Sequence, residues 1–332
     1  MSIADRASSI AQPETAVLGA GSLGLLWASR LSSVCPVTLI SRSGNGLCSF
    51  DVLLPGINGQ LEVHEHFELP RISGNAPASP YPLVLVCTKS FDTLEAIKGQ
   101  LTRVQVDGTL VLLQNGMGSQ QEVEHYVEQH RPDIHLYAMS TTEGANRPTP
   151  GKLVYAGKGE SWIGPLNRAA RESDRSSYLA SLFSRATMCT HAELKITLRL
   201  WQKLVINCGI NPFTALLNCP NGDILTHPFF CEQITALSKE LSRVCTHYFQ
   251  SSYTQFFSPE AIKQAVYGVA TKTAPNISSM LQDVRNGRRT EIDYMNGYIC
   301  RYAEAHGIPT PINKRLTDDV RQLVSTGAVE IK

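Results

Sequence analysis

Over the first half of the chain, short apolar runs rich in β-branched residues alternate with amphipathic stretches. The runs are "TAVLGA" from Thr15, "PVTLIS" from Pro36, "LVLVCT" from Leu83, "TLVLLQ" from Thr109 and "HLYAMST" from His135. Alternation of this kind predicts a doubly wound, mostly parallel sheet of α/β class. "VLLPGINGQLEVHEHF" breaks the rhythm with two runs about a Gly/Asn turn, which predicts an antiparallel hairpin. After about residue 190 helical periodicity takes over, with helices predicted over roughly 193–218, 222–252, 258–269, 276–306 and 311–326. Ser258-Pro259-Glu260 reads as a helix start, and Gly307 after "RYAEAH" as a stop. The expected division is a polar, disordered tail over 1–13, an α/β domain over 14–188 and an all-helical domain over 189–332.

At 332 residues, 42% hydrophobic and with a formal net charge of +1, the chain is long enough for two domains and gives no reason to expect nucleic acid or a membrane surface as partner. "MSIADRASSIAQPE" has neither the apolar core of a secretory signal nor the length of a spanning helix. The nine cysteines are scattered among apolar neighbours without a CxxC pair, which suggests buried thiols in a reducing compartment, hence the cytoplasm. His64, His66 and His125 are sparse and unpaired, so no metal ligand set is expected.

"VLGAGSLG" sets Gly19, Gly21 and Gly24 after the first strand and at the mouth of the helix "LGLLWASRL". Such glycines allow a tight turn and close approach of backbone N–H groups, Ser22 and Leu23 included, to a pyrophosphate at a helix N-terminus. The second strand ends in "LISRSGN", without the acid that would hold an NAD ribose; Arg42 there can grip a 2′-phosphate, so NADP(H) is the expected cofactor. A solvated surface arginine is the plainer alternative.

In "LRLWQKLVINCGINPFTALLN", residues 198–218, Lys203, Asn207 and Asn211 recur every fourth position and form one polar ridge on an otherwise apolar helix. A buried ridge needs a ligand, a partner or ordered water; a snorkelling lysine beside two solvated amides is the alternative. Burial in an apolar helix bundle can bring a lysine down toward ~7–8, where proton donation becomes easier. Farther on, Ser279 with Gln282 reads either as a capping box or as a carboxylate site at a helix start. Glu291 is placed about three turns along that same helix, among Arg288, Arg289 and Asp293.

"LGAGSLG", "VCTKSFDT", "LLQNGMGS", "TTEGANR", "WQKLVINCGINPFTALLNCPNG" and "SSMLQDVRNGRRTEIDYMNG" occur in the order and spacing of the ketopantoate reductases (2-dehydropantoate 2-reductases), which the chain resembles from about residue 14 to 325. The resemblance implies NADPH-dependent reduction of 2-dehydropantoate, a small 2-keto acid, to (R)-pantoate on the way to pantothenate and coenzyme A. It also implies a Rossmann domain joined to an all-helical domain similar to that of 6-phosphogluconate dehydrogenase. It gives Lys203 the part of general acid, and Glu291 that of holding the substrate hydroxyl and supporting the lysine. Asn207, Asn211 and Ser279 become substrate ligands, Asn115 a residue beside nicotinamide ribose and substrate, and Lys89 a cofactor-side lysine. Glu143 stands where many members have His, which puts the role of that loop in question. A homodimer is the one protein assembly allowed for. The competing readings are a β-hydroxyacid dehydrogenase, a paralogue acting on another branched 2-keto acid, and an NADP(H)-sensing regulator without turnover. "KITLRLWQK" lacks the glycine-rich run of the first, and the presence of both Lys203 and Glu291 speaks against the last.

Overall fold

The computed structural model describes residues 13–55, 60–77 and 79–326. The predicted tail, except Pro13, and the Gly/Asn turn of the hairpin lie outside the described residues. Two compact units emerge: one runs up to Gln114 and resumes over Gln120–Ile196, and the other combines Asn115–Ser119 with the chain from Thr197 onward.

The first unit holds β1 (Thr15–Leu18), α1 (Ser22–Leu31), β2 (Val37–Ser41), β3 (Gly46–Pro55), β4 (Leu61–Ser73), β5 (Tyr81–Val86), α2 (Ser90–Lys98), β6 (Val104–Leu112) and α3 (Ser119–His130), whose first residue belongs to the other unit. It continues with β7 (His135–Thr141), β8 (Gly144–Asn146), β9 (Lys152–Gly157), β10 (Ser161–Pro165), α4 (Arg168–Ser173), α5 (Ser176–Arg185) and β11 (Thr190–Ala192). The described strands form one sheet in the order β11-β10-β7-β6-β5-β1-β2-β4-β3-β9-β8, and the run from β7 to β4 is parallel throughout. All four residues of β1 are buried, as a strand covered on both faces requires. Leu25, Leu26 and Trp27 of α1 pack into that core, where the Trp27 indole meets Phe183 edge-on at 5.2 Å.

The predicted hairpin is β3 paired antiparallel with β4. The sheet reaches farther than the apolar pattern foretold. β10 runs antiparallel to β7, and β11 pairs with β10 in parallel, so the sheet extends to Ala192, beyond residue 188. Strands as short as "GAN" and "THA" carry no hydrophobic alternation and are held mainly by their neighbours' backbone groups.

The second unit comprises α6 (Ile196–Leu217, from Thr197), α7 (Pro228–Tyr248), α8 (Thr254–Phe257), α9 (Pro259–Lys272), α10 (Ser279–Arg285), α11 (Asn296–Ala305) and α12 (Pro311–Thr326). Ser258 caps α9 as predicted, its hydroxyl accepting from the Ala261 N–H at 3.2 Å. Gly307, at φ +67°, follows the end of α11. Among the described residues no helix is long and apolar enough to cross a membrane.

The single helix predicted over 276–306 is in fact two. α10 stops at Arg285, Gly287 takes φ +62°, and a 3-10 turn over Ile292–Tyr294 precedes α11. Inside α6, Pro212 has no N–H to offer the Cys208 carbonyl one turn back. That oxygen accepts instead from Asn296 Nδ2 at 3.2 Å. Asn296 also donates to Asn313 Oδ1 at 3.1 Å, and Asn313 Nδ2 donates to Glu240 Oε2 at 2.8 Å. The buried Glu240 carboxylate further accepts from the backbone N–H groups of Ile312 and Asn313, at 2.8 and 3.0 Å, and so caps α12 from another helix.

Candidate active site

The glycine motif sits in the turn between β1 and α1, with Gly21 at the N-cap, Ser22 as the first helical residue and Leu23 following it. Gly19 has φ +105°, and a Cβ there would stand 3.0 Å from the Cys87 carbonyl carbon and the Thr88 nitrogen. A Cβ on Gly24 would collide with the Gly19 carbonyl oxygen. Both positions thus require glycine, and the resulting cradle has the helix N-terminus facing it without a side-chain cap on Gly21. These residues fit the pyrophosphate of a dinucleotide.

Arg147 also reaches this turn, its Nη1 donating to the Ala20 carbonyl at 2.7 Å. Arg147 ends the block "TTEGANR", 127 positions along the chain from Ala20, so its charge was the one signal of this part in the sequence. Arg42 directly follows β2 and is 90% exposed, with Nη2 at 2.8 Å from Asp92 Oδ2. An exposed pair of this kind is worth about 0–1 kcal/mol, so a phosphate can displace the carboxylate. Lys89 caps the start of α2 through its extended backbone, directly after β5 and the Cys87–Thr88 pair.

Glu143 belongs to the architecture of the first unit. It is buried, and its Oε2 accepts from the Tyr155 hydroxyl at 2.7 Å and from the Gly159 N–H at 2.8 Å, tying the β9 and β10 region together. Burial, reinforced by this carboxylate, pushes the Tyr155 phenol well above its ordinary range.

In the second unit, Lys203, Asn207 and Asn211 lie along α6 as predicted, and Trp201, Leu204, Val205 and Phe213 of the same helix are buried. Lys203 Nζ donates to Asn115 Oδ1 at 2.8 Å, a bond across 88 positions that no spacing argument had found. Asn115 is held because the next residues dock: the Met117 N–H donates to the Tyr294 carbonyl at 2.8 Å. Gly116, at φ +78°, lies so close to Tyr294 that a Cβ would overlap the same carbonyl oxygen.

Desolvation lowers the Lys203 ammonium to about 8, against a smaller opposing effect of the Glu291 charge, which favours the protonated form. The residue as a whole keeps part of its surface exposed, so its environment is dry without being sealed. Glu291 is 4% exposed and lies at the entry to the 3-10 turn, on a different segment from α10. The expectation that it follows Ser279 along one helix is corrected, since Gly287 breaks the helix between them.

Asn211 is buried, its Nδ2 at 3.5 Å from the Met295 sulfur, and Asn207 is half-buried. Ser279 is not the cap of α10. Ser278 is, its hydroxyl accepting from the Leu281 N–H at 3.1 Å and sharing a 2.7 Å bond with Thr214. Gln282 donates to the Ile277 carbonyl at 2.9 Å. Ser279 is therefore the first helical residue, half-buried, with its hydroxyl spared from capping. Together Lys203, Asn115, Glu291 and the flanking amides offer one proton donor of tuned acidity among hydrogen-bonding groups suited to an oxygen-rich substrate.

The profile described as ketopantoate reductase PanE/ApbA matches residues 15–168, and that of its C-terminal part matches residues 195–324. A 2-dehydropantoate 2-reductase from Shigella flexneri is 33% identical over 313 residues, covering 92% of this chain and 93% of the relative. The chain belongs to the ketopantoate reductase family. Its membership extends to distant relatives, including a 2-dehydropantoate 2-reductase from Archaeoglobus fulgidus, 30% identical over 93% of this chain and 97% of that one. Among solved structures, a probable 2-dehydropantoate 2-reductase from Bacillus subtilis aligns with TM-score 0.72 and 26% identity over 93% of this chain and 99% of its own. The ternary structure of D-mandelate dehydrogenase with NADH and anilino(oxo)acetate shares the fold, with TM-score 0.79 and 22% identity over 95% of this chain and 99% of that one.

Proposed function

We propose that the chain reduces 2-dehydropantoate to (R)-pantoate with NADPH in the cytoplasm, a step toward pantothenate and coenzyme A. The observation that carries this reading is the Lys203 ammonium, brought to about 8 by desolvation and anchored on Asn115. It is supported by the activity that the curated relatives bear in their names. The glycine turn formed by Gly19, Gly21 and Gly24, with the N–H groups of Ser22 and Leu23, binds the pyrophosphate; Arg42 binds the 2′-phosphate, and Lys89 and Asn115 complete the cofactor side. NADPH, when bound, supplies the hydride.

Lys203 then acts twice on the substrate's keto oxygen. Its charge stabilises the alkoxide that forms there, and its proton quenches it. With a value near 8 the lysine is still mostly protonated at neutral pH yet parts with its proton far more readily than at 10.5. Glu291 accepts from the substrate hydroxyl and keeps the lysine charged. Asn207 and Asn211 orient the substrate without adding a competing charge, and Ser279 binds its carboxylate end at the start of α10.

Steady-state NADPH oxidation with 2-dehydropantoate, beside 2-ketoisovalerate and a Lys203→Ala control, tests the proposal. Turnover of 2-dehydropantoate that drops about a hundredfold to ten-thousandfold in the control is the expected result. NADPH binding without turnover of either keto acid would overturn the named reaction in favour of a paralogue or a sensor.

A further inference from the structure

The first unit contains a set of side chains that the reductase chemistry does not use. Cys189 and His191 are two residues apart where the chain enters β11, so they point to the same side of the strand. β11 pairs in parallel with β10, with His191 opposite Trp162, and Glu160, two residues before Trp162, faces that side as well. The Cys189 sulfur and His191 Nε2 are 3.6 Å apart, and Glu160 Oε2 is 3.8 Å from the same nitrogen. All three ligand atoms lie within 4.8 Å of one another.

The backbone beneath this cluster is already fixed. The Ser161 N–H donates to the Cys189 carbonyl at 2.8 Å. The Glu160 N–H donates to Thr142 Oγ1 at 2.9 Å, and the Glu160 carbonyl accepts from the Thr142 N–H at 2.9 Å. The His191 ring stacks on Trp162 at 5.8 Å. Each ligand therefore comes from a strand or strand end whose position does not depend on a cation.

We propose that Cys189, His191 and Glu160 form a zinc(II) site at the edge of the sheet, with a fourth position open to water. Tetrahedral bonds of about 2.3 Å to sulfur and about 2.0 Å to nitrogen set those two atoms about 3.5 Å apart, the spacing already present. The same geometry sets nitrogen and oxygen about 3.3 Å apart, so Glu160 Oε2, now 3.8 Å from His191 Nε2, has to close in by a side-chain adjustment of about half an ångström or more. A thiolate with an imidazole selects a borderline-soft ion over the oxygen-seeking magnesium and calcium. Binding displaces the thiol proton to solvent. The expectation from sequence of no metal ligand set rests on histidines such as His64, His66 and His125, whereas the proposed set is assembled by strand pairing around His191. The ion would clamp β10 to β11, the last strand of the sheet.

Zinc(II) titrated into the full chain, followed by a competing fluorescent chelator, is expected to reveal one equivalent bound. Affinity should fall at least about tenfold in Cys189→Ser and in His191→Ala, and stay unchanged in Cys231→Ser, which removes an exposed thiol elsewhere. Zinc should raise the melting temperature of the wild type and leave that of Cys189→Ser unmoved. Cobalt(II) should give a thiolate charge-transfer band that disappears in the same variant, and magnesium should not compete. Equal zinc binding in wild type and both ligand variants, with folding checked by circular dichroism, would overturn the proposal, as would the absence of binding at micromolar zinc.

Discussion

Replacing Glu291 by Gln tests the electrostatic reasoning about Lys203 most directly. At a value of about 8 the ammonium is about 90% protonated at pH 7 and about 10% at pH 9, whereas an ordinary lysine would still be almost fully protonated at pH 9. If Lys203 supplies the proton, wild-type kcat/KM is level at neutral pH and falls about tenfold per unit once pH exceeds 8, because the active form is the protonated one. Glu291 raises the lysine against the larger lowering by desolvation. Removing its charge leaves desolvation less opposed, so the alkaline limb moves to lower pH. Glu291 is also proposed as a substrate ligand, so the height of the profile will fall in any case; the position of the limb is diagnostic. The assay is NADPH oxidation at subsaturating 2-dehydropantoate across pH 6 to about 10.5, since kcat/KM reports the groups of the free enzyme. A wild-type limb that appears only near 10.5 would refute the desolvation argument. One that stays in place in Glu291→Gln, or moves to higher pH, would refute the coupling between the two side chains.

Arg42→Ala should erode the preference for NADPH over NADH, measured as the ratio of their kcat/KM values; an unchanged ratio removes Arg42 from the 2′-phosphate. Glu240→Ala strips three N–H donors of their acceptor at the start of α12 and should cost about 3–5 kcal/mol, read as a lower urea midpoint at unchanged slope. Gly116→Ala forces a Cβ against the Tyr294 carbonyl at a positive φ, costing about 1–3 kcal/mol. It should depress kcat more than thermal stability alone would explain, because Asn115 is the adjacent residue.

The parallel strands from β7 to β2 were legible because continuous apolar, β-branched segments bury both faces, and the glycine turn because its conformation admits little else. Lys203, Asn207 and Asn211 were legible as a ridge because helical periodicity is a local property. What escaped was set by partners far along the chain. The three-residue β8 and β11 have no pattern of their own. The Asn115 bond to Lys203 depends on a docked loop. The cap of α10 fell to Ser278 and not to Ser279, since two adjacent serines compete for one position and burial beside Thr214 decides between them. Glu291 was placed on a helix that ends before reaching it, because "RNGRR" offered one glycine and no proline as warning.

Pro212 has a consequence for how the helical unit assembles. A helix made of α6 alone would leave the Cys208 carbonyl unsatisfied in an apolar setting, and the group that completes it arrives from Asn296, 88 residues later. The segment bearing Lys203 therefore cannot reach its lowest free energy as an isolated folding unit. Its repair is shared with Asn313 and Glu240, so loosening α11 or α12 is felt at α6, and the helix that carries the proton donor reports on whether the distant C-terminal part of its own unit has closed. Partial folding and partial activity are in this way made mutually unfavourable.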